Sequence, residues 1–218
     1  WECVKVLFAN GCPLVILACN TASAKALVNI QRLDLPRMAP DRRVLGVIRP
    51  TAEKLDSVTR TGHVGILGTQ GTVLSDSYPR EIKRVAPRIR VYQEACPIWV
   101  PLIENQEYDT PGAEYFIRRH LDRLLAQSPL IDTVVLGCTH YPILLEQIRK
   151  WITPSITVVA QGELVADRLA DYLERHPEIQ SRLTTGRARR FLTTETSASF
   201  NPQASRFFGS EVRAEGHQ

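Results

Sequence analysis

Two cysteines of this 218-residue chain stand in nearly the same local sequence. Each follows a short, β-prone apolar run and precedes two small or polar residues and then a helix-like segment. The two cysteines are Cys19 and Cys138, 119 positions apart (138 − 19). The polar residues that follow them are Asn20 and Thr21 in the first copy, and Thr139 and His140 in the second. This repeated pattern is the strongest indication of chemistry in the chain.

A thiol at the end of a strand and just before a helix lies near unpaired N–H groups and the positive end of the helix dipole, which favour the thiolate. The same N–H groups, with nearby hydroxyl and amide groups, would bind a carboxylate. If the two motifs face each other, an amino acid between them can lose its α-proton to one thiolate. It regains a proton from the other thiol on the opposite face, which inverts the stereocentre. His140, two residues after Cys138, is a candidate to set the protonation of that thiol.

The composition is that of an ordinary globular protein, with 44% hydrophobic and 23% charged residues. The net charge of +4 is too small to indicate a nucleic-acid partner. No apolar run approaches the roughly 20 residues of a membrane span, and no signal peptide is evident, so we expect a cytoplasmic protein without a membrane partner. The five cysteines contain no CxxC pair and have no metal-ligand spacing with the histidines, so neither a disulfide framework nor a metal site is predicted.

The hydrophobic pattern alternates between short apolar strands and amphipathic helices, which predicts an α/β fold with parallel sheets. The predicted strands are 13–18, 44–48, 63–67, 88–94, 132–137, 156–160 and 189–194. The predicted helices are 21–32, 51–60, 72–85, 113–126, 141–151, 163–175 and 203–208, with residues 33–43 and 96–112 as connections. Ligands bind beyond the carboxyl ends of such strands, where both cysteines and the 68–72 loop are expected.

At these residues the chain resembles glutamate racemases of the aspartate/glutamate racemase superfamily. Residues 18–23, Ala-Cys-Asn-Thr-Ala-Ser, resemble the first cysteine motif of that family, and residues 136–142, Leu-Gly-Cys-Thr-His-Tyr-Pro, resemble the second. Residues 65–72, 96–104 and 191–208 are also similar to family segments. The resemblance extends over nearly the whole chain.

The resemblance implies cofactor-independent interconversion of L- and D-glutamate, which supplies D-glutamate for peptidoglycan. It implies two pseudo-symmetric α/β domains, often in a homodimer, with the active site in the cleft between them. We place residues 1–43 and 163–218 in the first domain and residues 44–162 in the second. The residues that it assigns to the site are Cys19 and Cys138 as catalysts and Asn20, Thr21, Thr139 and His140 as substrate-binding residues, with Thr69 and Glu104 nearby.

The family also has an Asp-Ser-Gly-x-Gly-Gly and a Pro-Tyr-Gly segment ahead of the first cysteine motif, and neither is present here. Because the chain opens with Trp1, inside a helix-like pattern, we expect that an N-terminal part is missing and that activity is impaired. Three alternatives stay open: a racemase of the same superfamily acting on aspartate or another amino acid, a cysteine hydrolase using Cys138 and His140, and a non-catalytic binding module.

Overall fold

Short strands and helices alternate along most of the chain in the computed structural model, which describes residues 1–186 and 188–216. The strands are β1 (Leu14–Leu17), β2 (Arg43–Gly46), β3 (His63–Gly68), β4 (Arg90–Ala95), β5 (Thr133–Gly137), β6 (Thr157–Val159), β7 (Phe191–Thr193) and β8 (Ala214–Gly216). The helices are α1 (Glu2–Ala9), α2 (Asn20–Lys25), α3 (Leu27–Asn29), α4 (Leu35–Met38), α5 (Ile48–Val58), α6 (Gln70–Leu74), α7 (Ser77–Val85), α8 (Trp99–Glu104), α9 (Pro111–Leu125), α10 (Leu145–Trp151), α11 (Gln161–Arg175), α12 (Pro177–Gln180) and α13 (Ser197–Phe208). A π-helical stretch, Ile30–Asp34, and a 3-10 helix, Tyr141–Leu144, complete the helical segments.

Every strand pair in the described residues is parallel, which confirms the predicted α/β fold class. One sheet has four strands in the order β4-β3-β5-β6, and β1 and β2 form a two-stranded sheet. In the four-stranded sheet Gly68 pairs with Gly137. The loop after β3 therefore begins beside Cys138, at the same edge of the sheet.

Strand β5, which leads to Cys138, is buried along its whole length. Helix α9 covers one face of the sheet with Ile117, Leu121 and Leu124, and Tyr78 and Ile82 of α7 belong to the cluster on the other face. Burial on both faces explains why the strand is continuously apolar, since alternation is expected only where one face meets water.

Asp132 fixes the start of β5. Its carboxylate accepts hydrogen bonds from the Thr59 and Thr133 hydroxyls at 2.6 and 3.0 Å and from the Arg60 and Thr61 N–H groups at 2.8 and 2.9 Å. Burial alone would raise the pKa of Asp132, but these bonds outweigh it and lower the pKa to about 2. The carboxylate thus ties β5 to the loop that precedes β3.

Several predicted boundaries were wrong. Residues 33–43 were expected to be a connection, but the chain stays helical to Met38, because Pro36 lies at the start of α4, where a missing N–H is tolerated. The predicted helix 72–85 is split at Asp76, which has φ 53. Part of the expected 96–112 connection forms α8.

Residue contacts separate residues 1–183 from a second unit that begins at Thr184 and contains β7, β8 and α13. Phe207 and Phe208, at the end of α13, are 41% and 43% exposed. The predicted domain boundary after residue 43 falls inside β2, which pairs with β1. The two-domain division stays a prediction.

Within the described residues, every helix is too short or too polar to cross a bilayer.

Candidate active site

Cys19 lies at the end of β1 and immediately precedes α2. Its backbone is extended, with φ −71 and ψ 124, and its carbonyl accepts the N–H of Ser23 at 2.9 Å, which starts the helix. The residue is exposed, whereas Asn20 beside it is buried. The predicted strand–cysteine–helix arrangement is therefore present at the first motif.

Cys138 follows β5 and is only 7% exposed. Burial raises the pKa of its thiol, hydrogen bonds from the N–H groups of His140 and Tyr141 and from the Thr139 hydroxyl lower it, and a negative charge on Cys19 raises it again. The net effect is a raised pKa, so the expectation of a favoured thiolate was wrong for Cys138. The chain forms a turn and a 3-10 helix after this residue, and burial of the sulfur outweighs the nearby N–H groups.

A line of three polar groups extends from the buried thiol towards solvent. The Cys138 sulfur lies 3.9 Å from His140 Nδ1, and His140 Nε2 lies 3.2 Å from an oxygen of Glu104. Glu104 is the last residue of α8. The structure thus brings His140 to the thiol and places the carboxylate of Glu104, which the resemblance also set near the site, on the far side of the imidazole ring.

Three threonine hydroxyls connect the first cysteine segment to the loop after β3. Thr21 Oγ1 lies 2.8 Å from Thr69 Oγ1 and 3.2 Å from Thr72 Oγ1, and the Thr69 and Thr72 hydroxyls are 3.1 Å apart. Thr69 also caps α6 by accepting the N–H of Thr72. These contacts join the end of β1 to the end of β3, where the sequence placed the ligand site.

Asn20 belongs to a closed ring of three buried hydrogen bonds. Its Nδ2 donates to Gln161 Oε1 at 2.7 Å, Gln161 Nε2 donates to the Tyr78 hydroxyl at 2.6 Å, and that hydroxyl donates to Asn20 Oδ1 at 2.7 Å. The ring uses one of the two Nδ2 hydrogens of Asn20, so the predicted contact between this amide and substrate stays a prediction.

Sequence reasoning missed Tyr78 and Gln161. Gln161 begins α11 just after β6, and a polar residue at the carboxyl end of a parallel strand is a usable signal. Tyr78 has no such signal, because it lies within α7 and reaches the site only through tertiary packing. Of the other cysteines, Cys96 is buried and Cys3 is exposed. Among the described residues, no three His, Cys, Asp or Glu side chains are arranged so that they could hold one metal ion.

Known proteins that are similar to this chain are racemases. The family model for Asp/Glu/hydantoin racemases matches residues 2–169. The glutamate racemase of Paracoccus denitrificans is 39% identical over 97% of this chain and 79% of its own length. The glutamate racemase of Ruegeria pomeroyi is 38% identical over 96% of this chain and 78% of its own length. A glutamate racemase isoform from Bacillus anthracis superposes with a TM-score of 0.88 at 30% identity, over 100% of this chain and 78% of that one. The Francisella tularensis glutamate racemase, solved with D-glutamate, superposes with a TM-score of 0.80 at 25% identity, over 98% of this chain and 76% of its own.

The chain belongs to the Asp/Glu/hydantoin racemase family. Within that family it groups with the glutamate racemases, which are isomerases. The resemblance noted in the two cysteine motifs is confirmed.

Proposed function

We propose that this chain interconverts L- and D-glutamate without a cofactor, with Cys19 and Cys138 as acid/base groups on opposite faces of the α-carbon. The observation that carries this proposal is the meeting of the two cysteine-bearing segments at one edge of the fold. Thr21, two residues after Cys19, lies 2.8 Å from Thr69, and Gly68 before Thr69 pairs with Gly137, the residue before Cys138. This arrangement supports two thiols that act on a single α-carbon, at the carboxyl ends of the strands.

In the proposed reaction the thiolate removes the α-proton, and the C–H electron pair stays on the α-carbon. The opposite thiol then delivers its own proton to the other face. One C–H bond breaks and one forms, so the product is the enantiomer and the two sulfurs have exchanged roles. We assign Thr21 and Thr139, one beside each cysteine, to the substrate carboxylate, and the Thr139 hydroxyl turns from the Cys138 sulfur to the carboxylate when substrate binds.

His140 and Glu104 support the proton transfer at Cys138. The imidazole lies within reach of the sulfur, and the carboxylate oxygen lies on its other nitrogen. A carboxylate in that position orients the imidazole ring. We therefore assign His140 to the exchange of protons with Cys138, and Glu104 to the orientation of His140.

The names of the relatives support glutamate as the substrate. Both curated relatives named above are glutamate racemases, and the Francisella enzyme was solved with D-glutamate. We propose a cytoplasmic, homodimeric enzyme that supplies D-glutamate for peptidoglycan. Growth of a D-glutamate auxotroph that expresses this chain tests the metabolic role, and sedimentation velocity tests the dimer.

The decisive experiment is deuterium uptake at the α-carbon of L- and D-glutamate in D2O, followed by proton NMR without added cofactor. We expect exchange and racemisation by the chain, with a loss of about 10²–10⁴-fold in racemisation for Cys19→Ser and for Cys138→Ser. Cys3→Ser, which removes an exposed thiol of α1, is the control and should be unchanged. Racemisation that survives both active-site substitutions would refute the proposal, and faster exchange with aspartate would select the alternative substrate.

The coupling of the thiols has its own test. The rate of Cys138 alkylation by iodoacetamide as a function of pH reports the pKa of this thiol. Because a charge on Cys19 raises that pKa, Cys19→Ser should shift the alkylation profile of Cys138 to lower pH. An unchanged profile would contradict the inference that the two thiols face one site.

A further inference from the structure

Tyr78 contacts the residues adjacent to both candidate catalytic thiols. Its hydroxyl donates to Asn20, the residue after Cys19. Its ring packs against Gly137, the residue before Cys138, where an added Cβ would lie 3.3 Å from Tyr78 Cε2. One fully buried side chain therefore touches both cysteine-bearing segments.

The two segments belong to different sheets. Cys19 follows β1 of the two-stranded sheet, and Cys138 follows β5 of the four-stranded sheet. Strand pairing cannot fix the separation of the two sulfurs across separate sheets, so side-chain contacts such as those of Tyr78 must contribute to it.

The ring of hydrogen bonds that contains Tyr78 has only one consistent direction. Thr51 donates its hydroxyl to the Val47 carbonyl and accepts from Gln161 Nε2 at 2.7 Å. The Gln161 nitrogen therefore donates to Tyr78, and the tyrosine hydroxyl is left to donate to Asn20. Burial raises the pKa of Tyr78, so the hydroxyl keeps its proton across the working pH range.

We propose that Tyr78 is a positioning residue that sets the separation of Cys19 and Cys138, and that Gln161 fixes Tyr78 for this task. The proposal rests on the two-thiol reaction proposed above. A reaction that removes a proton on one face and adds one on the other requires both sulfurs to lie within reach of a single carbon atom. Displacement of a reacting group by about 1 Å costs on the order of 100-fold in rate.

Tyr78→Phe tests the proposal, because it keeps the ring and removes the hydroxyl. We expect kcat for racemisation to fall by about 10- to 100-fold, with KM changed by less than about threefold. The matched control is Tyr92→Phe, which also deletes one hydroxyl hydrogen bond, at 2.8 Å to His63, and should leave kcat unchanged. Equal kcat values for the two variants would overturn the proposal.

A second measurement separates failure of this proposal from failure of the proposed function. Dibromobimane becomes fluorescent when both of its bromides are displaced by neighbouring thiolates, and peptide mass spectrometry identifies the linked cysteines. In a Cys3→Ser, Cys12→Ser background we expect cross-linking of Cys19 to Cys138 at equal rates with and without Tyr92→Phe, and at least about fivefold slower with Tyr78→Phe. This result supports the positioning role even if the chain shows no racemisation. An unaffected rate, or no cross-link in the parent, would overturn it.

Gln161→Met keeps the test decisive if Tyr78→Phe does not fold. Methionine has a similar length and leaves the Tyr78–Asn20 bond in place, while the two ring bonds of Gln161 are lost. We expect a smaller loss, about threefold in both kcat and cross-linking rate. Unchanged values for a folded Gln161→Met variant would count against the positioning role.

Discussion

Substitution of Asp132 by asparagine should lower stability in a pH-dependent way. The fall of its pKa from 3.8 to about 2 corresponds to about 2.4 kcal/mol, at about 1.36 kcal/mol per pKa unit. Because the folded-state pKa lies below the unfolded value, this stabilisation is present above the unfolded pKa and is lost as the pH falls through the folded pKa. It should be nearly complete at about pH 5, about half lost at pH 3, and absent below pH 2.

The assay is urea unfolding of the parent chain and Asp132→Asn at pH 7, 5 and 3. We expect a difference in the free energy of unfolding of about 2–3 kcal/mol at pH 7 and 5, and about 1 kcal/mol less at pH 3. Asp122→Asn is the control, since that carboxylate is 67% exposed and 3.7 Å from Arg118, and it should cost less than about 0.5 kcal/mol. A difference that stays the same from pH 7 to pH 3 would refute the account of the Asp132 hydrogen bonds.

Two further predictions concern the surroundings of Cys138. Glu104→Gln removes the carboxylate 3.2 Å from His140 and should slow racemisation about 3- to 10-fold. The control is Glu107→Gln, at an exposed site, which should leave the rate of racemisation unchanged. Equal rates for the two variants would contradict the role given to Glu104. Gly137→Ala places a Cβ 2.9 Å from a backbone carbonyl oxygen of β3 and should cost about 1–3 kcal/mol in thermal unfolding. In Gly68→Ala the added Cβ meets only contacts of 3.4 Å or more, so this substitution should lower the free energy of unfolding by less than Gly137→Ala. A larger loss for Gly68→Ala than for Gly137→Ala would show that the backbone relaxes at Gly137.

Strands β3 and β5 were predictable because they are short and buried on both faces. Continuous apolar runs such as the one before Cys138 identify parallel strands without any knowledge of their partners. Helix ends were harder to predict. Asp76 adopts a left-handed backbone conformation at the break between α6 and α7, and an aspartate in the sequence does not by itself predict that conformation. Residues 33–43 were predicted to be a connection, but Pro36 lies in the first turn of α4, where a proline is compatible with a helix.

The polar residues of the site were predictable to the extent that they follow strands. Thr69 and Cys138 lie directly after a strand and Cys19 lies two residues after one, where an α/β fold collects its ligand-binding residues. The protonation of Cys138 was not predictable, because it depends on how deeply the sulfur is buried. Neither was the contact between Tyr78 and the cysteine segments, which only the packing of α7 creates.

The unequal exposure of the two thiols has a consequence for the kinetics of the proposed reaction. Enantiomers have equal free energies in water, so the Haldane relation requires the same kcat/KM in both directions. Individual values of kcat and KM are free to differ, and a buried thiol opposite an exposed one breaks the symmetry between the two half-reactions. The free enzyme that keeps its proton on Cys138 is prepared for only one enantiomer. The other enantiomer requires the proton to move to Cys19 before it can react. An enzyme with an equilibrium constant of one can thus saturate with one enantiomer at a lower concentration than with its mirror image.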